Sequence, residues 1–252
     1  MRIIWKNRKW NSIIFITSMR KYFKAATKRI KNHFNKFFLK GDKVFCKVCN
    51  WNGKYFPNNR CPNCSSWSRT RLIPFSIKYF SIPKENIKIL HIAPNKNEYN
   101  YINDSFEFDI YDRLDLRKYE HINIVRDLKN TNLDSNHYDL IIAWHVLEHI
   151  PDDLNAIIEM KRILKIGGNM LISVPIFPKN NSITYEDINI KREDFLKIHG
   201  HDDHCRSCGF DYYKRFENLG FKTETLINKT LSDTITKQYG LSKNHRVWKF
   251  TK

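Results

Sequence analysis

Between Gly53 and Gly167 the chain has no glycine, and only 8 occur in its 252 residues. No G-x-G-x-x-G therefore follows a strand-like segment, which argues against a nicotinamide dinucleotide loop. No apolar run approaches the roughly 18–20 residues that span a bilayer. The longest early run, Ile13–Ile16, is shorter than the about 7–15 residues of a secretory signal core. The expectation is a cytoplasmic chain without a transmembrane segment. Acidic residues are missing from positions 1–40, which hold 12 Lys or Arg. The rest of the chain carries only +6 of the formal +18. The basic character belongs to an arm rather than to the whole surface.

That arm interleaves lysines with Trp5, Trp10, Phe15, Tyr22, Phe23, Phe34, Phe37 and Phe38. The mixture suits peripheral contact with an anionic membrane, binding to RNA, or a solvated, partly helical extension. Beyond it, 41% hydrophobic and 14% aromatic residues are enough for a real core. Four zones emerge: the basic aromatic arm 1–40, a turn-rich cysteine module 41–72, a connecting helix 73–84, and an alternating strand and helix region 85–252.

The six cysteines form three C-x-x-C pairs, a pattern that favours metal over disulfides in a cytosolic chain. Cys46–Cys49 and Cys61–Cys64 make two knuckles separated by 11 residues. Four thiolates so arranged close a tetrahedral site suited to structural zinc, which folds a segment too small to bury a core. Gly53, Pro57, Pro62 and the asparagines supply the turns. Arg69 and Arg71 follow, and Leu72, Ile73 and Phe75 suggest a helix that docks on the next domain. The third pair, Cys205 and Cys208, lies near His201 and His204. It reads either as two free thiols or as part of a His/Cys metal site.

In the last zone, strands are expected at Ile87–Ala93, Phe106–Asp112, Ile122–Asp127, Tyr138–Trp144, Asn169–Ile176, Phe221–Ile227 and His245–Phe250. Tyr138–Trp144 is apolar throughout, as in a strand buried on both faces. Helices are expected at Asn97–Asn103, Pro151–Lys165 and Asp211–Leu219. Gly167-Gly168 stops the second, whose buried face is read from Leu154, Ile157, Ile158 and Leu164. Alternation of this kind implies a doubly wound, mostly parallel α/β sheet. Ligands then sit beyond the carboxyl ends of the strands, where strand order reverses. Those ends are Pro94-Asn95, Asp112, Asp127, Trp144-His145 and Pro175.

The stretch HVLEHIPDDLNAIIEMKRILKIGGNMLISVPI, 145–176, resembles class I S-adenosylmethionine-dependent methyltransferases of the small-molecule type. Lys165-Ile-Gly-Gly stands where those enzymes have Lys-Pro-Gly-Gly. ILHIAP looks like a variant first motif of a subgroup with an N-terminal zinc ribbon. Asp203, His204, Arg206, Gly209 and Asp211 match that subgroup's D-H-x-R-x-x-G-x-D segment. The similarity spans about residues 42–252.

The resemblance implies a seven-stranded, Rossmann-like methyltransferase sheet with a small zinc ribbon, using S-adenosylmethionine and structural zinc. It implies that the cofactor's methionine part lies against His91, Ala93, Pro94 and Asn95. Asp112 would bind the ribose hydroxyls, with Asp109 and Asp115 as close rivals. Asp127 would meet the adenine amine, and Trp144 would border the transferred methyl group. His145 is a candidate general base, and His204 with Asp203 is a second. Glu148 and His149 follow His145 closely, and His149 also reads as a structural histidine. The expected acceptor is a small molecule, sugar or glycan. An RNA methyltransferase that grips RNA through ribbon and arm is the alternative, although AWHVLEH lacks the Asn/Asp-Pro-Pro-aromatic motif of base amino methylases. A non-catalytic binding protein of the same fold is a third reading.

Overall fold

A computed structural model describes residues 36–227, 231–242 and 245–252. Most of the basic arm, 1–35, lies outside the described residues. The chain forms a two-stranded antiparallel sheet, β1 (Lys40–Cys46) and β2 (Trp51–Gly53), and a seven-stranded one. The larger sheet holds β3 (Glu85–Ile92), β4 (Glu107–Asp115), β5 (Ile124–Val125), β6 (Tyr138–Trp144), β7 (Leu164–Ser173), β8 (Lys222–Ile227) and β9 (Arg246–Thr251). Its order is β5-β4-β3-β6-β7-β9-β8. All pairs are parallel except those made by β9. No described helix is long and apolar enough to cross a membrane.

The period of two along β6 explains how the sheet is covered on both faces. Ile141 and Ala143 point to one side, with Leu90, Ile92, Met170 and Ile172, against the helix Asp153–Ile163 and Tyr212, Phe216 and Trp248. Leu140, Ile142 and Trp144 point to the other, against Leu72, Ile73, Ile77, Tyr101 and Ile102. The helix Ile73–Tyr79 thus docks on the main domain, with Leu72, Ile73 and Ile77 in its core. Full burial of such a side chain contributes about 1.5–3 kcal/mol.

Several boundaries differ from expectation. The helix after β6 begins at Asp153 and ends at Ile163, before the glycines. Its buried stripe is Ala156, Ile157, Met160 and Ile163, while Leu154 and Ile158 are exposed. Gly167-Gly168 does not stop that helix. It lies inside β7, in a bulge between the pairs Tyr138–Leu164 and Leu140–Asn169. β4 runs to Asp115, because Leu114 continues the ladder beside Ile92. β5 shrinks to two residues, and the segment Phe210–Glu217 is a 3-10 turn followed by one turn of helix.

Candidate functional site

The chain runs outward from β3 to β4 and β5, then returns to place β6 on the other side of β3. Strand order thus reverses between β3 and β6, where a crevice opens at the carboxyl ends. Ala93 follows β3 with φ 45°, and His145 follows β6 with φ 57°. A left-handed backbone costs an L-residue roughly 1–2 kcal/mol. Both bends are held by hydrogen bonds. Ala93 N–H donates to the Leu114 carbonyl (2.6 Å), and His145 N–H to the Ser173 carbonyl (2.8 Å).

The glycine-free loop works by capping. Ala93 takes the left-handed turn. Asn95 is the N-cap of the helix Lys96–Ser105, and its side chain accepts from the amides of Asn97 (2.9 Å) and Glu98 (3.2 Å). Glu98 reaches back to the Asn95 amide (3.2 Å), completing a capping box. The loop amides near Asn95 are thus held by side chains. Glu98 is buried and also accepts from the Thr70 hydroxyl (3.2 Å). Burial pushes its carboxyl up to about 7. His121 Nε2–H donates to the Pro94 carbonyl (2.8 Å). His91 is fully buried, shares a hydrogen bond with the Tyr111 hydroxyl (3.0 Å), and is pushed by burial down to about 3. It is a neutral core histidine beneath the crevice.

The acid that ends β4 is Asp115, not Asp112. Asp112 pairs in register with Leu90, mid-sheet. Its carboxylate accepts from Asn123 Nδ2 (2.7 Å) and from the Tyr138 hydroxyl (2.7 Å). Asp115 stands one residue beyond the Ile92–Leu114 pair, at the crevice, and accepts from the Arg117 amide (2.8 Å). Asp127 follows β5 as an exposed residue whose carboxylate accepts from the Lys129 amide (2.9 Å). Trp144 lies in the core, where its indole N–H donates to the Arg69 carbonyl (3.1 Å). It anchors the short helix Ser68–Arg71, and its ring is packed in the core.

Arg69 went unassigned in the sequence. It is exposed, and its positive charge acts on Glu98, His145 and His245, although burial dominates the shift of each. The residue comes from the short helix Ser68–Arg71 at the end of the cysteine module, close enough to the switch point for its charge to act on His145. Its only sequence signal was its place just after the second knuckle.

Glu148 organises the histidines. Its side chain is 1% exposed, and one oxygen lies 3.6 Å from His145 Nδ1, 3.7 Å from His149 Nε2 and 3.9 Å from His204 Nε2. Neither oxygen accepts a hydrogen bond within the described residues, and His145 Nε2 is equally unpartnered. Burial holds His145 below the usual imidazole range. Asp203 does not orient His204, as its place in the sequence suggested. It faces His149 Nδ1 (3.2 Å) and His201 Nδ1 (2.5 Å).

The D-H-x-R-x-x-G-x-D segment folds this cluster together. Arg206 is fully buried and donates to the carbonyls of Leu147 (2.5 Å), Ile150 (2.8 Å) and Pro151 (2.8 Å) and to Glu186 (2.8 Å). It therefore clamps the turn that carries Glu148 and His149. Removing one partner of such a buried charge typically costs about 3–5 kcal/mol. Gly209 fits because a Cβ would stand 2.5 Å from the Ile183 backbone. Asp211 accepts from Thr184 through its amide (2.7 Å) and hydroxyl (2.8 Å). The third cysteine pair is structural. Cys205 donates to the Glu148 carbonyl (3.1 Å), and Cys208 is buried in the main core.

Cys46, Cys49, Cys61 and Cys64 place their sulfurs within 4.8 Å of one another. Cys46–Cys64 measures 3.8 Å and Cys49–Cys61 3.6 Å. A tetrahedral ion about 2.3 Å from each sulfur sets them about 3.8 Å apart, so the four fit one ion. Four crowded thiols cannot all ionise without a cation to offset the repulsion. Asn50 and Asn58 make left-handed turns at and between the knuckles. Buried Arg71 joins this module to the main domain by donating to the carbonyls of Ser66 (2.6 Å), Asn59 (3.2 Å), Tyr239 (3.0 Å) and Gly240 (2.6 Å).

A sequence model of the family described as Methyltransferase domain matches residues 59–226. No curated protein matches the chain by sequence. Among solved structures, an S-adenosylmethionine-dependent methyltransferase from Mesorhizobium loti is similar at 11% identity and TM-score 0.52, over 70% of this chain and 96% of that one. A SAM-dependent methyltransferase from Archaeoglobus fulgidus is similar at 12% identity and TM-score 0.51, over 73% and 94%. At these identities the likeness is one of fold.

Proposed function

The chain belongs to the methyltransferase-domain family and is an S-adenosylmethionine-dependent enzyme; from that premise we propose that its acceptor is a small molecule, sugar or glycan. The observation that carries the reading is the switch point itself. Ala93 and His145 take left-handed turns on either side of it, and the buried His145 side chain has Nε2 without a hydrogen-bond partner among the described residues. That orphaned atom fits a site completed by ligand.

The cofactor supplies an activated methyl group on a sulfonium with a good leaving group. The chain's own residues bind, align and exclude water. Ala93, Pro94 and Asn95 form the wall for its methionine part, and Arg69 is the nearby cation for a carboxylate. Asp115, rather than Asp112, is the acid for the ribose diol, since a carboxylate there accepts two hydrogen bonds. Asp127 remains the candidate for the adenine amine. His145 is the base, accepting the acceptor's proton at Nε2 while Glu148 stands behind Nδ1. His204 loses that role because its expected carboxylate partner, Asp203, faces other histidines.

Cys46, Cys49, Cys61 and Cys64 hold structural zinc. Only Val44, Cys46, Trp51 and Cys61 are buried in the module's own core, which is too small to fold unaided.

Full-length protein incubated with methyl-labelled S-adenosylmethionine and fractionated cell extract tests the acceptor class. Label in nuclease-resistant small solutes or glycans supports this reading. Label that nuclease releases from a macromolecule overturns it in favour of RNA.

A further inference from the structure

We propose that Glu148, His149 and His204 form a second metal site, separate from the four cysteines, for a divalent transition-metal ion. One buried carboxylate oxygen faces His149 Nε2 at 3.7 Å and His204 Nε2 at 3.9 Å. The three donor atoms lie within 4.8 Å of one another. An ion about 2.1 Å from each donor would set them about 3.0–3.4 Å apart. Side-chain shifts of no more than about an ångström close that gap.

The arrangement is poorly explained by hydrogen bonding alone. Glu148 is 1% exposed, and neither of its oxygens accepts a hydrogen bond within the described residues. A buried carboxylate left so costs several kcal/mol. If the imidazoles were there to donate to it, at least one would approach to about 2.8–2.9 Å. Instead His145, His149 and His204 all stand off by 3.6 to 3.9 Å. A cation between the carboxylate and the Nε2 atoms of His149 and His204 satisfies these three together.

The surroundings also have the form of a ligand shell. His149 Nδ1–H donates to the Asp203 backbone carbonyl (3.2 Å) and lies 3.2 Å from its carboxylate. The proton is therefore on Nδ1, which leaves the Nε2 lone pair directed at Glu148. A carboxylate behind a ligating histidine is the usual device for fixing ring orientation. Arg206 fixes the backbone on both sides by gripping the carbonyls of Leu147 and Ile150. Two imidazoles and a carboxylate suit zinc, iron(II) or cobalt(II) rather than magnesium or calcium. Three protein donors also leave coordination positions open, unlike the closed set of four sulfurs.

The test uses the full chain with its cysteine site already loaded with zinc. It is titrated with cobalt(II), desalted, and the retained metal is counted by mass spectrometry. Near-ultraviolet absorption separates the sites, because thiolate-to-cobalt charge transfer marks only a cysteine-bound ion. The proposal expects one further ion per chain without that band. His149→Gln should weaken its binding at least tenfold, and Glu148→Gln should abolish it. His149 is about one-third exposed, so its variant is the one expected to fold normally, as checked by circular dichroism. Retention of the zinc alone overturns the proposal. So does wild-type affinity for the second ion in His149→Gln. The readout does not depend on S-adenosylmethionine binding, so it stands or falls apart from the acceptor reading.

Discussion

Ala93 and His145 leave the two central strands with the same left-handed backbone, on opposite sides of the point where strand order reverses. Glycine would be the undemanding choice at both positions. Their strain is held in place by the amide bonds to Leu114 and Ser173. Backbone outliers of this kind cluster at functional sites, and these two flank the switch point.

Asp115→Asn should weaken S-adenosylhomocysteine binding at least tenfold, in keeping with about 1.5–3 kcal/mol for a hydrogen bond to a charged group. Asp112→Asn should instead lower thermal stability, through Tyr138 and Asn123, and leave affinity nearly unchanged. Calorimetry paired with thermal melts separates the two. The reverse pattern would return the ribose role to Asp112.

His145→Gln should lower kcat by about 10²–10⁴-fold while cofactor affinity stays near wild type, as expected when a general base is removed. Single-turnover kinetics on an accepted substrate give the measurement. A loss seen only in cofactor affinity would make His145 a binding residue.

Glu98 sets a pH dependence of stability. Its folded carboxyl is raised to about 7 from an ordinary 4.5. Between those values the folded state binds more protons than the unfolded one, so stability falls as pH rises. The full contribution is present below the unfolded pKa and is lost by the time pH passes about 7, to the extent of about 3 kcal/mol. Denaturant unfolding of wild type and Glu98→Gln at about pH 5 and about pH 8 isolates this contribution. The difference between the two proteins should change by that amount, and an unchanged difference would contradict it.

Cys46→Ser should reduce the zinc bound at the module to well below one ion per chain and lower the melting temperature. The loss should extend to the main domain, because Arg71 ties the module to Tyr239 and Gly240. Full retention of zinc by the variant would refute the four-sulfur site.

The sequence was most legible where one local pattern decided the outcome. Tyr138–Trp144 appears with the expected ends because an apolar run buried on both faces admits few alternatives. The knuckles came from spacing. Asp112 was misplaced because Asp112-Arg113 looks like a strand end, and only pairing with Ile92 shows that Leu114 continues it. Gly167-Gly168 looked like a helix stop, yet the bulge opposite Tyr138–Leu140 depends on a partner strand. Glu148 was named beside His145 in the sequence but given no role. Its role depends on His204 and Arg206, more than fifty residues away, and on contacts that no local periodicity encodes.

Calorimetric titration of the folded, zinc-loaded full chain with S-adenosylmethionine and S-adenosylhomocysteine tests the central claim most directly. The account predicts one saturable site for each ligand, shared by both and weakened by Asp115→Asn. Absence of binding by either ligand to the intact protein would contradict it.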